Sequence, residues 1–311
     1  MPLLSIVLPS YNEEGNIKNT ASVLSKLLSE NKIDYELVFV DDGSVDKTYS
    51  LIQEAAAEDP NVKGISFSRN FGKEASIFAG LEAATGDAVI VMDCDLQHPA
   101  ELIPEMYKLW QQGFEVVEGI KSSRGREGLF HKMAAGIFYG IMSRLIKMDM
   151  KATSDYKLLD RKVVNVLLSL PERRTFFRAL SFWVGFKTTK IEYEVQERKY
   201  GTTKWNFGSL MRYAINNATS FSTLPLQIVT FMGVVSLIFS VILGIQTLVK
   251  YFMGTAAEGF PTVILLILLI GGFIMISLGI IGHYLSRIYE EVKGRPKYII
   301  RTHTENIKGN L

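Results

Sequence analysis

The chain has one cysteine in 311 residues, Cys94. A single thiol excludes an intrachain disulfide and a cysteine-rich metal centre. A dominant charge is missing too: 34 Lys and Arg stand against 32 Asp and Glu, for a net of +2. That balance does not argue for nucleic acid as a partner. No signal peptide is expected, because Met1-Pro2-Leu3-Leu4 runs straight into a strand-like pattern and Glu13-Glu14 follow soon after. There is no internal repeat and no low-complexity tract. Two stretches near the C-terminus lack charge. Between Arg212 and Lys250 there is no charged residue, and between Glu258 and Arg287 there is none except His283 when it carries a proton.

A bilayer core about 30 Å thick needs about 20 helical residues. Both uncharged stretches exceed that and predict transmembrane helices over Leu226–Phe252 and Pro261–Leu285, with buried core helices as the alternative. Arg212 precedes the first span, and Arg287, Lys293, Arg295 and Lys297 follow the second. The connecting loop carries only Lys250 and Glu258. An excess of Lys and Arg marks the cytoplasmic side, which places both ends inside and the loop outside.

The rest of the chain alternates. Apolar runs at Leu4 to Pro9, Glu36 to Val40, Val62 to Phe67, Val89 to Met92 and Glu115 to Gly119 read as strands. Helical spacing fills the gaps: Ile17, Val23, Leu24, Leu27 and Leu28 share one face. Further helices follow to about Glu58, with Ser44 or Asp46 as cap, over Lys73 to Ala84 and over Ala100 to Gln112. Alternating strands and helices predict an α/β domain with a mostly parallel sheet and right-handed crossovers.

The run Val89-Ile90-Val91-Met92 ends in Asp93-Cys94-Asp95-Leu96-Gln97. Ligands of open α/β sheets bind outside the carboxyl ends of strands. If strand geometry persists, Asp93 and Asp95 face the same way. Two carboxylates held close repel unless a cation lies between them, and such oxygen ligands suit Mg²⁺ or Mn²⁺ completed by substrate phosphates. A solvated loop at the strand end is the plainer alternative for these two residues. Farther on, Lys121 to Arg126 form a basic, glycine-containing loop, and residues 129–148 and 205–222 carry amphipathic patterns. Those patterns fit either buried packing or a membrane interface.

Five stretches resemble one family. They are Pro9-Ser10-Tyr11-Asn12-Glu13, Asp41-Asp42-Gly43-Ser44-x-Asp46, Asp93-x-Asp95-x-Gln97, the run from Thr153 to Arg161, and Arg198-x-x-Gly201-x-Thr203-Lys204-Trp205. In order, with two C-terminal spans, they resemble the inverting glycosyltransferases of family 2. These have the GT-A fold, and the subgroup indicated uses a polyprenyl-phosphate acceptor, as bactoprenol glucosyltransferases and dolichyl-phosphate mannose synthases do. The resemblance implies a nucleotide-sugar site at Pro9, Tyr11, Glu13, Asp41, Asp42 and Asp93, with Arg198 and Lys204 on the phosphates. It implies Mg²⁺ or Mn²⁺ at Asp93, Asp95 and Gln97, and Asp155 as the family's base or an orienting group. Lys121, Arg124 and Arg126 are expected to take the acceptor phosphate, or to meet anionic headgroups.

The expected organisation is a catalytic domain over 1–204, holding an acceptor loop at 121–128 and an amphipathic helix at 129–148. A juxtamembrane helix over 205–222, spans at 226–252 and 261–285, and a tail at 286–311 complete it. The implied reaction moves a hexose, first of all from UDP-glucose, to undecaprenyl phosphate at the cytosolic face of a bacterial inner membrane. A separate flippase is then required, and homo-oligomerisation is left open. The rival donors are UDP-N-acetylglucosamine, a UDP-aminoarabinose derivative and GDP-mannose. A processive synthase would need a Gln-x-x-Arg-Trp signature and more spans, and a non-catalytic membrane scaffold is the rival outside the enzymes.

Overall fold

The unbroken apolar run of β4 (Ala88–Val91) is buried along its whole length. A strand covered on both faces by helices has this character. In the computed structural model, which describes residues 2–121, 154–173, 175–193, 224–254 and 259–307, β4 lies at the centre of a sheet. Beside it are β1 (Leu4–Ser10), β2 (Tyr35–Asp41) and β3 (Val62–Phe67), all parallel to it. The crossovers are α1 (Ile17–Glu30), α2 (Thr48–Glu58) and α3 (Lys73–Ala83). After β4 come a short 3-10 turn at Ala100–Leu102, α4 (Ile103–Gln111) and β5 (Val116–Lys121).

The remaining strands were not legible as strands. β6 (Lys157–Asp160) enters between β4 and β5, antiparallel to both. Then follow α5 (Arg161–Ser169), α6 (Phe177–Trp183) and β7 (Thr188–Tyr193), which pairs in parallel with β5. The segment read as a tail also joins the sheet: β8 (Ile300–His303) runs antiparallel along the free edge of β3. Tyr298 stacks on Phe67 with ring centroids 5.0 Å apart, and Thr304 Oγ1 accepts the Gly64 N–H at 2.9 Å. The sheet has eight strands in the order β7-β5-β6-β4-β1-β2-β3-β8. Covering an exposed edge in this way removes a row of unpaired backbone groups.

The chain divides into two units, one carrying the sheet and the other carrying α7 (Leu224–Phe252) and α8 (Phe260–Val292). Both helices are long and apolar enough to cross a membrane, over Val229–Phe252 and Leu269–Val292. They pack against each other, yet large apolar side chains such as Phe231, Leu237, Met275 and Ile288 stand exposed. A core helix of a soluble domain would bury them. The two amphipathic stretches, 129–148 and 205–222, lie outside the described residues.

Candidate functional site

The carboxyl ends of β1, β2 and β4 converge on a cleft of about 300 Å³. Pro9, Tyr11, Glu13, Asp42, Asp93 and Asp95, all singled out from the sequence, line it. The loop after β1 turns at Asn12, whose φ is +54°, a left-handed conformation that Asn tolerates. It is laced to the loop after β2: Asn12 N–H donates to Ser44 Oγ at 2.9 Å, and Val45 N–H donates to Asn12 Oδ1 at 3.0 Å. Gly43 makes that second turn, with φ +67°, and an added Cβ would lie 2.4 Å from the Arg69 carbonyl carbon.

The adjacent aspartates of β2 divide their work. Asp41 is buried and serves the loop, accepting from Ser44 N–H at 3.0 Å and Ser66 Oγ at 2.6 Å. It does not line the cleft. Asp42 does, and it also accepts the N–H groups of Phe71 and Gly72 at 2.6 and 2.9 Å. Burial raises its carboxyl above the usual range, against those two hydrogen bonds. Asp42 thereby fixes the loop from which α3 starts.

Strand geometry does not persist through Asp93 and Asp95. The last ladder bond in this strand runs from Met92 N–H to Val7 O at 3.1 Å. The chain then turns: Asp95 Oδ1 accepts Gln97 N–H at 3.1 Å, an Asx-type turn, with Leu96 at φ +54°. An aliphatic residue held there stores backbone strain, a feature that clusters at functional sites. Asp93 and Asp95 still share the cleft, while Gln97 follows in the same turn and is not part of the lining. Burial, then repulsion from Asp95 and Asp93, raises the Glu13 carboxyl, with the Asn16 side chain pulling the other way.

Among the described residues no three His, Cys, Asp or Glu side chains converge as a ready-made metal site. Asp93 and Asp95 do bring carboxylate oxygens into one cleft, the donor type that a hard divalent ion such as Mg²⁺ takes alongside phosphate and water.

Asp155 stands beside the cleft on the segment entering β6. A buried ion pair holds that segment: Lys157 Nζ is 3.1 Å from Glu118 Oε1 across the β5–β6 pairing. Ser154 N–H donates to the same Glu118 oxygen at 2.8 Å, and Lys157 Nζ donates to Ser181 Oγ at 2.8 Å. Next to Asp155, the Tyr156 ring stacks on His98 at 4.9 Å, which ties the segment to the turn after Asp95.

Three residues that sequence reasoning passed over complete the arrangement. Lys73, first in α3, places Nζ 2.5 Å from Asp93 Oδ1 and 3.2 Å from Asp155 Oδ2. Arg178 on α6 donates from Nε and Nη2 to the two oxygens of Asp155 at 3.1 and 2.9 Å. Glu74 accepts the Phe177 N–H at 2.7 Å and so holds the start of α6. Burial opposes charge on Asp155, but Lys73 and Arg178 outweigh it and hold the carboxyl well below the usual range. Burial likewise opposes the charge on Lys73, and Asp93 and Asp155 outweigh it, raising its pKa. Burial pushes the Glu74 carboxyl up to about 7, with the Phe177 N–H working against the rise and the Asp155 charge adding to it. Lys73 had one signal, its place just past the carboxyl end of β3. Arg178 had none.

Of the other expected residues, Lys121 closes β5, while Arg124, Arg126, Arg198 and Lys204 lie outside the described residues.

Comparison with known proteins fits this architecture. Residues 5–167 match the family model described as glycosyl transferase family 2. A Bacillus subtilis (strain 168) protein bearing the name glycosyltransferase CsbB is 42% identical over 301 residues, covering 96% of this chain and 91% of its own. The bactoprenol glucosyl transferase of Shigella phage SfII is 39% identical over 303 residues, covering 96% of this chain and 97% of its own. Among solved structures, glucosyl-3-phosphoglycerate synthase from Mycobacterium tuberculosis, in complex with Mn²⁺, UDP and glucosyl-3-phosphoglycerate, superposes with a TM-score of 0.53. It is 20% identical, with 70% of this chain and 79% of that one covered, a likeness of fold alone. The sheet carries the GT-A fold, and the chain belongs to glycosyl transferase family 2.

Proposed function

We propose that the cleft binds a nucleotide sugar, UDP-glucose in the first instance, and that the chain transfers the hexose to a polyprenyl phosphate at the cytosolic face of the bacterial inner membrane. One observation carries the donor half: Tyr11, Glu13 and Asp42 converge with Asp93 and Asp95 on one cleft at the carboxyl ends of the parallel strands. The acceptor half is supported by full-length relatives named as bactoprenol glucosyl transferases and by the two apolar helices.

In this reading Pro9 and Tyr11 pack on the base, Tyr11 being 46% exposed as a residue. Glu13 and Asp42 accept hydrogen bonds from the base or ribose. Asp93 and Asp95 would hold a divalent cation, with Gln97 in the turn beside them, and that cation would neutralise charge on the departing nucleoside diphosphate. Arg198 and Lys204 contact the donor phosphates, and Lys121, Arg124 and Arg126 receive the acceptor phosphate. The acceptor oxygen attacks the anomeric carbon as the bond to the diphosphate breaks, inverting that carbon. A phosphate monoester has a second pKa of about 6 and is mostly dianionic at pH 7, so little proton removal is left for Asp155. Asp155 orients Lys73 and Arg178 instead.

The sheet supports the same topology as the charge pattern. β8 pairs with β3, so the chain after α8 returns to the domain it left before α7. If both helices cross the membrane, they cross as a hairpin. The product therefore forms on the catalytic side, and a separate flippase moves it outward.

Calorimetric titration of the purified protein with UDP, GDP and a panel of nucleotide sugars, each with and without Mn²⁺, tests the donor assignment. UDP-glucose should bind in a metal-dependent way that Asp95→Asn abolishes. Preference for GDP, or binding indifferent to metal and to Asp95, would overturn it.

A further inference from the structure

Lys73 is held in place by elements that have nothing to do with its own charge. Asp42 fixes the N–H groups of Phe71 and Gly72 ahead of it, and Gly72 supplies the turn with φ +101°. The ammonium group then lies against two carboxylates, Asp93 at 2.5 Å and Asp155 at 3.2 Å. These two contacts are not equivalent. Asp155 already has the Arg178 guanidinium on both of its oxygens, so its charge is balanced without Lys73. Asp93 has Lys73 as its ion-pair partner among the described residues. Asp93 Oδ1, which Lys73 holds, belongs to the carboxylate that a cation at Asp93 and Asp95 would use.

Lys73 is also the more open member of its pair with Asp155. Its side chain is 41% exposed, whereas that of Asp155 is 14% exposed. Lysine carries a compact charge on a flexible four-carbon stem. Two positive groups cannot both sit on one carboxylate oxygen without repulsion. An arriving dication and the resident ammonium therefore compete for Asp93. A diphosphate entering the cleft offers Lys73 another anion within the same reach and relieves that competition.

We propose, on the reading that Asp93 and Asp95 hold a divalent cation, that Lys73 is a built-in counter-ion. It occupies Asp93 in the empty cleft, competes with the cation there, and gives way when a nucleoside diphosphate arrives. Lys73 is thus a positioning residue that makes cation binding depend on nucleotide. The pairing also keeps Asp93 oriented toward the cleft while no substrate is present.

The experiment titrates the full-length purified protein with Mn²⁺ alone and reads free Mn²⁺ by electron paramagnetic resonance. Lys73→Met and Lys73→Gln remove the charge, and Lys73→Arg keeps it. Two uncharged variants are used so that a folding failure in one leaves the other, and melting curves identify the folded ones. A hydrogen-bonded charge contact corresponds to roughly a tenfold effect or more. Mn²⁺ alone should therefore bind the uncharged variants at least about tenfold tighter than wild type, with Lys73→Arg close to wild type. Equal or weaker Mn²⁺ binding by a folded uncharged variant would overturn the counter-ion role. Repeating the titration with UDP present separates the two levels. If wild type binds Mn²⁺ with UDP but the uncharged variants gain nothing on Mn²⁺ alone, only the role of Lys73 falls. If wild type takes up no Mn²⁺ even with UDP, the donor-site reading falls and the counter-ion role with it.

Discussion

Arg178 meets Asp155 side-on, with Nε 3.1 Å from Oδ1 and Nη2 2.9 Å from Oδ2. A forked pair of this kind is among the stronger polar contacts in proteins. It joins α6 to the segment entering β6 and, with Lys73, keeps the Asp155 carboxyl well below its usual range. The ionised pair stabilises the fold at neutral pH, and its contribution fades only as pH drops below the ordinary carboxylate range.

A carboxylate held that way is a weak base. The best general bases titrate near the working pH. Asp155→Asn should therefore lose less activity than Asp95→Asn, and its deficit should be the same at pH 7 and pH 9. Arg178→Ala should lower kcat by about 10- to 150-fold, the worth of charged hydrogen bonds. A deficit in Asp155→Asn that vanishes at high pH would restore Asp155 as an obligatory base.

Glu74 titrates in the opposite sense. Its folded-state carboxyl lies at about 7, above the ordinary 4.5, so folding binds its proton more tightly. The stability it contributes is full below pH 4.5, declines between 4.5 and 7, and is lost above. Glu74→Gln stays neutral and keeps an acceptor for the Phe177 N–H. Its Tm should match wild type near pH 4.5 and exceed it by a few degrees at pH 8. Equal melting temperatures at pH 8 would show that Glu74 carries no such penalty.

The buried Lys157–Glu118 pair gives a third test. Removing one partner of a buried pair costs about 3–5 kcal/mol, whereas replacing both with apolar groups is often neutral. Lys157→Met alone should therefore be severely destabilised, and Lys157→Met with Glu118→Leu should recover much of the loss, measured by chemical denaturation. An additive double variant would mean that the pair does not act as a unit.

The parallel half of the sheet and the donor-side carboxylates were legible because strand-length apolar runs ended in polar clusters. β6, β7 and β8 were not. Lys157 opens β6 with a buried charge that Glu118 and Ser181 make tolerable, and β8 depends on an edge of β3 far away in sequence. Asp155 was legible through its motif, but its partners were not. Lys73 read as the start of a helix, and Arg178 sits in a helix of seven residues. Nothing local signals that either faces an acid brought in by a distant strand. Asp93 and Asp95 were expected on one strand face. They reach the same cleft from a turn instead, since β4 ends at Val91 and Asp95 Oδ1 accepts the Gln97 N–H beyond it.

The membrane arrangement is open to chemical labelling. Cys94 is buried and its thiol is pushed up to about 12, chiefly by burial, so the native cysteine should stay silent toward maleimides at neutral pH. Gly254→Cys, in the turn after α7, should react with an impermeant reagent on intact cells. Lys293→Cys, at the end of α8, should react only after permeabilisation. The reverse pattern would place the catalytic domain on the outer face.

The most direct measurement is transfer itself. Purified full-length protein is given labelled UDP-glucose, undecaprenyl phosphate and Mn²⁺ or Mg²⁺, and the organic-extractable label is counted and its anomeric linkage read by NMR. The predicted result is a β-linked glucosyl phosphate lipid, formed one for one with UDP and lost in Asp95→Asn. Release of free glucose with no labelled lipid, or lipid formation that persists without a divalent cation or without Asp95, would contradict the proposed reaction.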